Sequence, residues 1–262
     1  EVPLAEFAFS QGLKVEQPQT FNDPDVLAVL ESYNPDFLVV VAYGLILPRE
    51  VLEIPKEFSI NVHGSFLPFW RGAAPINHVI FNRDLYTGVS IIKMSEELDA
   101  GPILRQEKIM LDHTETFGSL HRVLSELGAK NLLKTLYNIN ANEEILQNER
   151  FVSYAPKIKK LDAKLDFNSQ ASALEARIRG LAPTPGAWFE YKKERFKVFS
   201  AEVVEGNGKA GSIINENLTI ACGKKALNIL EIQRQGKDVM SVSDLLRGFK
   251  FEKGENVNQS TH

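Results

Sequence analysis

The strongest constraint on the fold is the alternation of short apolar runs with helix-like segments over the first half of the chain. Phe37–Val41 is apolar at every position, and three further runs are strand-like: Ser59–Val62, Gly88–Met94 and Ile103–Met110. Helical spacing of apolar residues occurs between and beside them, at Pro3–Gln11, Pro24–Tyr33, Pro75–Asn82 and Glu115–Asn138. A strand that is apolar throughout is typical of a parallel sheet covered by helices on both faces. The pattern therefore predicts an α/β domain on a predominantly parallel sheet.

The pattern changes after about Asn142. A polar stretch at Asn140–Glu149 is followed by the basic run Lys157–Lys160 and by helical spacing at Ala171–Gly180. Short β-like runs then dominate, separated by Gly, Asn and Lys turns: Ala187–Tyr191, Phe196–Phe199, Gly211–Ile214, Leu218–Cys222 and Leu227–Gln233. This spacing predicts a small β-barrel.

Length and composition fit two domains, which we place at residues 1–150 and 160–262. At about 100–200 residues per domain, 262 residues make one large domain or two ordinary ones. Contents of 44% hydrophobic and 24% charged residues exclude disorder, and a net charge of -4 excludes a surface that is basic all over. The single cysteine, Cys222, fits a reducing compartment. The apolar runs are shorter than the roughly 20 residues that span a bilayer, so no membrane is expected.

The most informative motif begins at the end of a predicted strand, with Asn61, His63 and Gly64. Ligands of open α/β sheets bind beyond the carboxyl ends of strands. Alternation along a strand gives Asn61 and His63 the same facing, so their side chains can converge. Histidine titrates near neutral pH, and asparagine can hydrogen-bond an oxyanion without titrating. The alternative is a structural turn with a buried histidine.

A second candidate is Asp99, in the Asp-Ala-Gly-Pro turn that follows the strand ending at Met94. A carboxylate there could orient an imidazole or relay a proton through water. Aspartates in turns also commonly hydrogen-bond their own backbone, and that interpretation stays open.

A third candidate is the apolar loop Val41–Pro48, which leaves the end of the strand Phe37–Val41. Such a loop suits a flat aromatic ligand bound through backbone hydrogen bonds. Leu45, Ile46 and Leu47 could equally belong to the core. Elsewhere, His78, His113 and His121 lack metal-ligand spacing, so no metal is expected.

Longer motifs resemble a known family. NVHGSFLPFWRGAAPI at 61–76, TGVSIIKM at 87–94 and LDAGPIL at 98–104 strongly resemble the formyltransferase family that uses 10-formyltetrahydrofolate. VVVAYGLILP at 39–48 resembles the folate loop of that family. SYAPKI, IRGLAPTPGAW and GKDVMSVSDLLRG extend the resemblance through the second domain, toward members that act on methionyl-tRNA. The resemblance thus covers nearly the whole chain.

The resemblance implies a site, a fold and a reaction. Asn61, His63 and Asp99 match the catalytic residues of the family. Its folate-contacting positions match Tyr43, Gly44, Leu45, Ile46, Leu47, Ser65, Phe66, Leu67 and Pro68. The implied fold is α/β, a Rossmann-like formyltransferase domain followed by a small OB-like β-barrel. The implied reaction moves a formyl group from 10-formyltetrahydrofolate to the α-amine of methionyl-initiator tRNA, in a monomer without a metal.

Two departures from the family pattern stand out. Phe69 takes the place of a usual basic residue, which removes a positive charge beside the site. The family begins with a strand, a glycine-containing turn, a second strand and a basic loop, and Glu1–Gln11 resembles the helix after that loop. The resemblance therefore implies that roughly 50–60 residues are absent from the front.

The basic residues suggest where tRNA phosphates could bind. The candidates are Lys157, Lys159, Lys160, Arg177, Arg179, Lys192, Lys193, Arg195 and Lys197. Alternatives remain: a related formyltransferase or formyltetrahydrofolate hydrolase with another acceptor, or an RNA-binding protein whose α/β domain is catalytically idle.

Overall fold

The computed structural model describes residues 3–45, 47–139 and 143–257. The first part of the chain contains these helices: α1 (Pro3–Ser10), α2 (Pro24–Ser32), α3 (Arg49–Leu52), α4 (Pro75–Phe81) and α5 (Phe117–Tyr137). Its strands are β1 (Phe37–Val41), β2 (Phe58–His63), β3 (Tyr86–Lys93) and β4 (Ile103–Met110). Each helix and strand predicted for this part is present, with bounds shifted by at most two residues.

Local capping explains where the longer helices begin. The Asp23 side chain accepts a hydrogen bond from the Asp25 amide, and Pro24 occupies the first turn of α2. Thr116 and Ser119 form a reciprocal capping box at the start of α5. Among the described residues, no helix has the length and apolar character needed to cross a membrane.

The first sheet has the strand order β1-β2-β3-β4, and most of its pairs are antiparallel. Only β1 and β2 run parallel, whereas β3 is antiparallel to both β2 and β4. The prediction of a predominantly parallel sheet is therefore wrong for the described strands. The β3–β4 connection, residues 94–102, is shorter than the dozen or so residues that a parallel crossover needs.

Helix α5 covers one face of this sheet. Leu120 and Leu124 are buried against Ile60 and Ile91, and Gly128 allows the helix to approach Val62. A methyl group on Gly128 would lie 2.9 Å from a Val62 methyl. The same face is covered less completely at the β1 edge, where Val39 and Val41, in register with Ile60 and Val62, are 39% and 55% exposed.

The second part of the chain consists of α6 (Ala171–Leu181), α7 (Val242–Leu246) and a five-stranded antiparallel sheet. The strands are β5 (Ala187–Tyr191), β6 (Glu194–Val204), β7 (Thr219–Ala221), β8 (Ala226–Arg234) and β9 (Val239–Ser241). Their order is β5-β6-β8-β7, and β9 pairs with the other end of β8. In the described residues these pairings form an open path, so the predicted closed OB-like barrel is not confirmed. The predicted run Gly211–Ile214 makes only isolated bridges.

The two parts of the chain meet where α4 packs on α6. Asn77 of α4 is buried, and its side-chain amide donates to the Gly180 main-chain oxygen at 2.6 Å. Gly180 lies in the last turn of α6, where main-chain oxygens lack partners within the helix. A methyl group on Gly180 would lie 2.6 Å from the Phe81 ring, so the helices need glycine to approach this closely.

Asn77→Ala should lower the free energy of unfolding by about 1–3 kcal/mol, because the Gly180 oxygen would lose its partner inside the protein. Asn138→Ala is the matched control, since its amide donates to the Lys134 main-chain oxygen at 2.9 Å but lies at an exposed helix end. Urea unfolding of both variants measures the difference. Equal losses of stability would contradict the buried role of Asn77.

Candidate active site

Three polar side chains converge at the carboxyl end of β2. Asn61 and His63 lie two residues apart on that strand and share one face of the sheet. Asp99 reaches them from the turn between β3 and β4, which follows the antiparallel partner of β2. The structure thus brings together the three residues that the sequence motifs singled out.

The Asp99 carboxylate is the centre of this group. Asn61 Nδ2 donates to its Oδ1 at 3.1 Å, and the Gly72 main-chain amide donates to its Oδ2 at 2.8 Å. His63 Nδ1 lies 3.5 Å from the same Oδ2. The His63 and Asp99 side chains are 6% and 11% exposed, so these contacts form largely out of contact with water. The carboxylate fixes the orientation of both the amide and the imidazole.

The other ring nitrogen of His63 faces the main chain of the loop that follows. His63 Nε2 lies 2.9 Å from the Trp70 carbonyl oxygen. Trp70 is anchored in turn, because its indole N–H donates to Asp84 at 2.6 Å and its ring stacks on His78. Burial lowers the pKa of His78, so this ring is neutral at physiological pH. Trp70 is a contributor that the sequence analysis missed.

The turn that carries Asp99 has an unusual backbone. Asp99 has a φ of +51°, in the left-handed region that only glycine, asparagine and aspartate visit readily. Gly101 follows where a Cβ atom would lie 1.9 Å from the Lys93 main-chain oxygen. The side chain of Gln147 bonds to this turn from the segment before the second part of the chain. Gln147 was also missed, since nothing in its polar surroundings distinguishes it.

Buried hydrogen bonds hold the segment Ser65–Pro68 against the sheet. Ser90 Oγ, fully buried, accepts from the Leu67 amide at 3.0 Å and donates to the Ser65 oxygen at 2.7 Å. Gln106 Nε2 reaches both Ser90 Oγ and the Leu67 oxygen. The side chains of Ser65 and Leu67 are buried, whereas the Phe66 side chain is only partly buried and is the one of these three that a ligand can reach. The sequence analysis missed Ser90. A serine inside the apolar run Val89–Ile92 could have indicated it.

The loop after β1 lines a separate hollow. Tyr43 and Leu45 are exposed, and the Tyr43 ring lies 6.0 Å from that of Phe21. A cavity of about 300 Å³ is lined by Gln19, Thr20, Phe21, Asn22, Leu45 and Pro48. Gly44 and Leu47 belong to the same loop, and Ile46 lies outside the described residues. Neither the cavity nor the three converging side chains provides a metal site: in the described parts of the chain no cluster of His, Cys, Asp or Glu could hold an ion.

Several basic residues proposed as phosphate contacts have partners within the protein. Arg177 donates to the Asp162 main-chain oxygen and lies over the Phe81 ring. Arg179 is buried, pairs with Glu175 and donates to the Glu115 main-chain oxygen. Arg195 and Lys197 instead line a cavity of about 430 Å³ together with Lys237. Of the remaining candidates, Lys157, Lys159, Lys160 and Lys193 are exposed, whereas Lys192 pairs with Glu255.

Such an asparagine, histidine and aspartate can stabilise an oxyanion and move a proton, which is the chemistry that a group-transfer enzyme needs. Residues 3–136 match the formyl transferase family, and residues 157–250 match the formyl transferase C-terminal domain. The chain belongs to the formyl transferase family.

The similar proteins include both tRNA and sugar enzymes. The methionyl-tRNA formyltransferase of Paramagnetospirillum magneticum is 40% identical over 255 residues, which are 96% of this chain and 84% of the relative. The solved Clostridium thermocellum methionyl-tRNA formyltransferase has a TM-score of 0.59 at 18% identity, over 90% of this chain and 91% of that one. The Helicobacter canadensis N-formyltransferase, solved with folinic acid and dTDP-3-aminofucose, has a TM-score of 0.63 at 20% identity, over 86% and 82%. At these identities the two structures share the fold with this chain.

Ser90→Ala should lower the free energy of unfolding by about 1–3 kcal/mol, because the buried Leu67 amide would lose its acceptor. Ser125→Ala removes a hydroxyl that donates to the His121 main-chain oxygen on the exposed face of α5, and it should change stability far less. Chemical denaturation compares the two. A Ser90→Ala protein as stable as the control would show that this hydroxyl does not hold the segment.

Proposed function

We propose that the chain transfers a formyl group from 10-formyltetrahydrofolate to the α-amine of methionyl-initiator tRNA. The observation that carries the proposal is the convergence of Asn61, His63 and Asp99 at the end of β2. Membership of the formyl transferase family and 40% identity to a methionyl-tRNA formyltransferase over 96% of the chain support this substrate pair.

The reaction begins with attack by the neutral amine on the formyl carbon. An α-amine titrates at about 8 in peptides, so a useful fraction is neutral near pH 7 without strong activation. Attack gives a tetrahedral intermediate with an oxyanion. Asn61 uses one amide hydrogen on Asp99 and can donate the other to this oxyanion. His63, in its charged form, donates the second hydrogen bond when Nε2 exchanges the Trp70 oxygen for the oxyanion.

Collapse of the intermediate breaks the bond between the formyl carbon and the folate nitrogen. The proton lost by the attacking amine must reach that nitrogen, so that it leaves as a neutral amine of tetrahydrofolate. Asp99 lies beside His63 and can relay this proton through a water while holding the imidazole in place. Every step uses side chains of this chain and involves no covalent enzyme intermediate.

The folate is proposed to bind between the loop after β1 and the segment Ser65–Pro68. Tyr43, Gly44, Leu45, Ile46 and Leu47 would line the pterin pocket, and Leu45 also lines the cavity of about 300 Å³ beside this loop. Ser65, Phe66, Leu67 and Pro68 would follow the ligand toward His63. The hydrogen bonds of Ser90 keep this segment in a fixed position, which favours binding without reorganisation.

The tRNA is proposed to lie across two domains, residues 1–150 and 160–262, with a monomer as the working unit. We also propose that the protein works in a bacterial cytoplasm or an organelle matrix. The first domain is proposed to be Rossmann-like and the second OB-like. Arg195, Lys197 and Lys237 around the second-sheet cavity would contact phosphates, while the reacting end of the tRNA reaches His63.

Asn61→Ala, His63→Ala and Asp99→Asn should each lower kcat by about 100-fold or more, as loss of oxyanion donors does in other enzymes. Folate affinity should change little, because these side chains act on the reacting carbon. The assay uses purified protein, 10-formyltetrahydrofolate and methionyl-tRNA. His121→Ala, on the exposed face of α5, is the matched control and should retain full activity.

Free methionine, an amino sugar nucleotide and water serve as control acceptors in that assay. Formylation of the amino sugar would show that the acceptor is a sugar nucleotide rather than tRNA. Release of formate alone would show that the acceptor is water. Binding of tRNA without turnover of any acceptor would favour an idle RNA-binding protein. A His63→Ala enzyme with near-normal turnover would contradict the mechanism.

Lys197→Gln and Lys237→Gln should weaken tRNA binding and reduce the slope of log affinity against log salt by about one each, since each removes one phosphate contact. Lys225→Gln is the control, because that lysine of the second part of the chain already pairs with Glu205 at 2.6 Å. Filter binding across a range of salt concentrations measures the slope. Affinity that does not depend on salt would contradict a basic tRNA surface.

A further inference from the structure

We propose that Gln147 is a positioning residue for catalysis: its side-chain amide holds the turn that carries Asp99 in the conformation the reaction needs. The inference rests on the proposed function and adds to it a residue outside the three converging side chains. Gln147 lies in the segment that leads to the second part of the chain, 48 positions after Asp99.

The contacts of Gln147 use the whole hydrogen-bonding capacity of the amide nitrogen. Nε2 donates to the Asp99 main-chain oxygen at 2.7 Å and to the Gly101 main-chain oxygen at 2.9 Å. A side-chain amide has two hydrogens, and both are directed at this one turn. One bond holds the main chain at Asp99, the residue with the left-handed backbone, and the other holds it two positions further on.

The orientation of the amide is fixed from its other side. Arg71 Nε donates to Gln147 Oε1 at 3.0 Å, so the oxygen cannot exchange places with the nitrogen. Arg71 is itself only 2% exposed, and Glu149 holds its guanidinium at 2.8 Å. Its main chain pairs with the same segment, donating to the Ser153 oxygen and accepting from the Ala155 amide. Arg71 therefore fixes the orientation of the Gln147 side chain independently of its contacts with the turn.

This clamp connects directly to the reacting groups. The φ of +51° at Asp99 is a backbone conformation that the surrounding contacts must maintain. If the backbone of this turn changed conformation, the carboxylate would move away from His63 and Asn61. Gly72, the neighbour of Arg71, donates its amide to the same carboxylate. Gln147 and Gly72 thus hold Asp99 by its main chain and by its side chain respectively. Among the described residues, the Gln147 side chain bonds to Arg71, Asp99 and Gly101 and not to the loop after β1, so folate affinity should not respond to its loss.

The test compares Gln147→Met, Gln147→Glu and Asn138→Ala in formyl transfer from 10-formyltetrahydrofolate to methionyl-tRNA. Gln147→Met removes both donors at nearly constant size, and Gln147→Glu also removes them but keeps an acceptor for Arg71. Both should lower kcat by about 10- to 100-fold, as small misplacements of catalytic groups do. The Kd for 5-formyltetrahydrofolate should stay close to that of Asn138→Ala. The Tm should fall more in Gln147→Met than in Gln147→Glu, because only the methionine leaves the buried Arg71 Nε without an acceptor. Normal kcat in Gln147→Glu would overturn the donor role.

A double-mutant cycle separates positioning from general stability. In the Asp99→Asn background, which tolerates the left-handed conformation, Gln147→Met should lower the remaining kcat by less than about threefold, because the carboxylate it positions is already gone. Independent effects, multiplying to the product of the single losses, would overturn the proposal. So would a loss of folate affinity that parallels the loss of kcat.

A crystal structure of Gln147→Met gives a readout that does not depend on activity. The Asp99 carboxylate should move by about 1 Å or more from His63 Nδ1. An unmoved carboxylate would overturn the inference even if kcat fell. If the unsubstituted chain formylates no acceptor, the proposed function fails, whereas an active chain that is indifferent to Gln147 fails this inference alone.

Discussion

The Asp99 carboxylate is the interaction on which the site depends. It accepts hydrogen bonds from the Asn61 side chain and the Gly72 amide and lies beside His63 Nδ1. These groups come from a strand, from the loop before α4 and from a turn between antiparallel strands. Because a buried carboxylate is stable only with such partners, the requirement to satisfy it fixes the relative positions of all three segments.

The segment between the two parts of the chain is therefore part of the site rather than a spacer. Ser153 and Ala155 pair with the main chain around Arg71, and a Cβ atom on Gly72 would lie 2.9 Å from the Ala155 oxygen. Helix α4, which begins shortly after Gly72, packs on α6 and so brings the second part of the chain against the first. Closely packed elements transmit strain to one another. A change in the packing of the second part should therefore alter the position of Asp99 through these bonds.

Local patterns predicted the elements well and their directions poorly. Phe37–Val41, Ile103–Met110 and Ala187–Tyr191 have the predicted bounds, and a proline or glycine stands one or two residues before each run. The apolar pattern of a strand does not show whether it runs parallel or antiparallel to its neighbour. Only the short connection at 94–102 could have indicated that β3 and β4 are antiparallel. The convergence of Asn61 with His63 follows from strand alternation alone. Gln147 was beyond such reasoning, because its partners lie more than 40 positions away and its neighbours are ordinary polar residues.

Charge placement explains how a chain with a net charge of -4 can serve anionic substrates. The buried Arg179 and the half-buried Arg177 are committed to bonds within the fold, so they contribute stability rather than attraction. Near the site, Phe69 stands where a basic residue was expected, and its ring packs on Tyr86. Lys108 of β4 lies 4.2 Å from the centre of the same Tyr86 ring and 4.9 Å from that of Phe66. A cation therefore remains beside this aromatic cluster, supplied by a neighbouring strand, and local fields of this kind act over about 10 Å whatever the net charge.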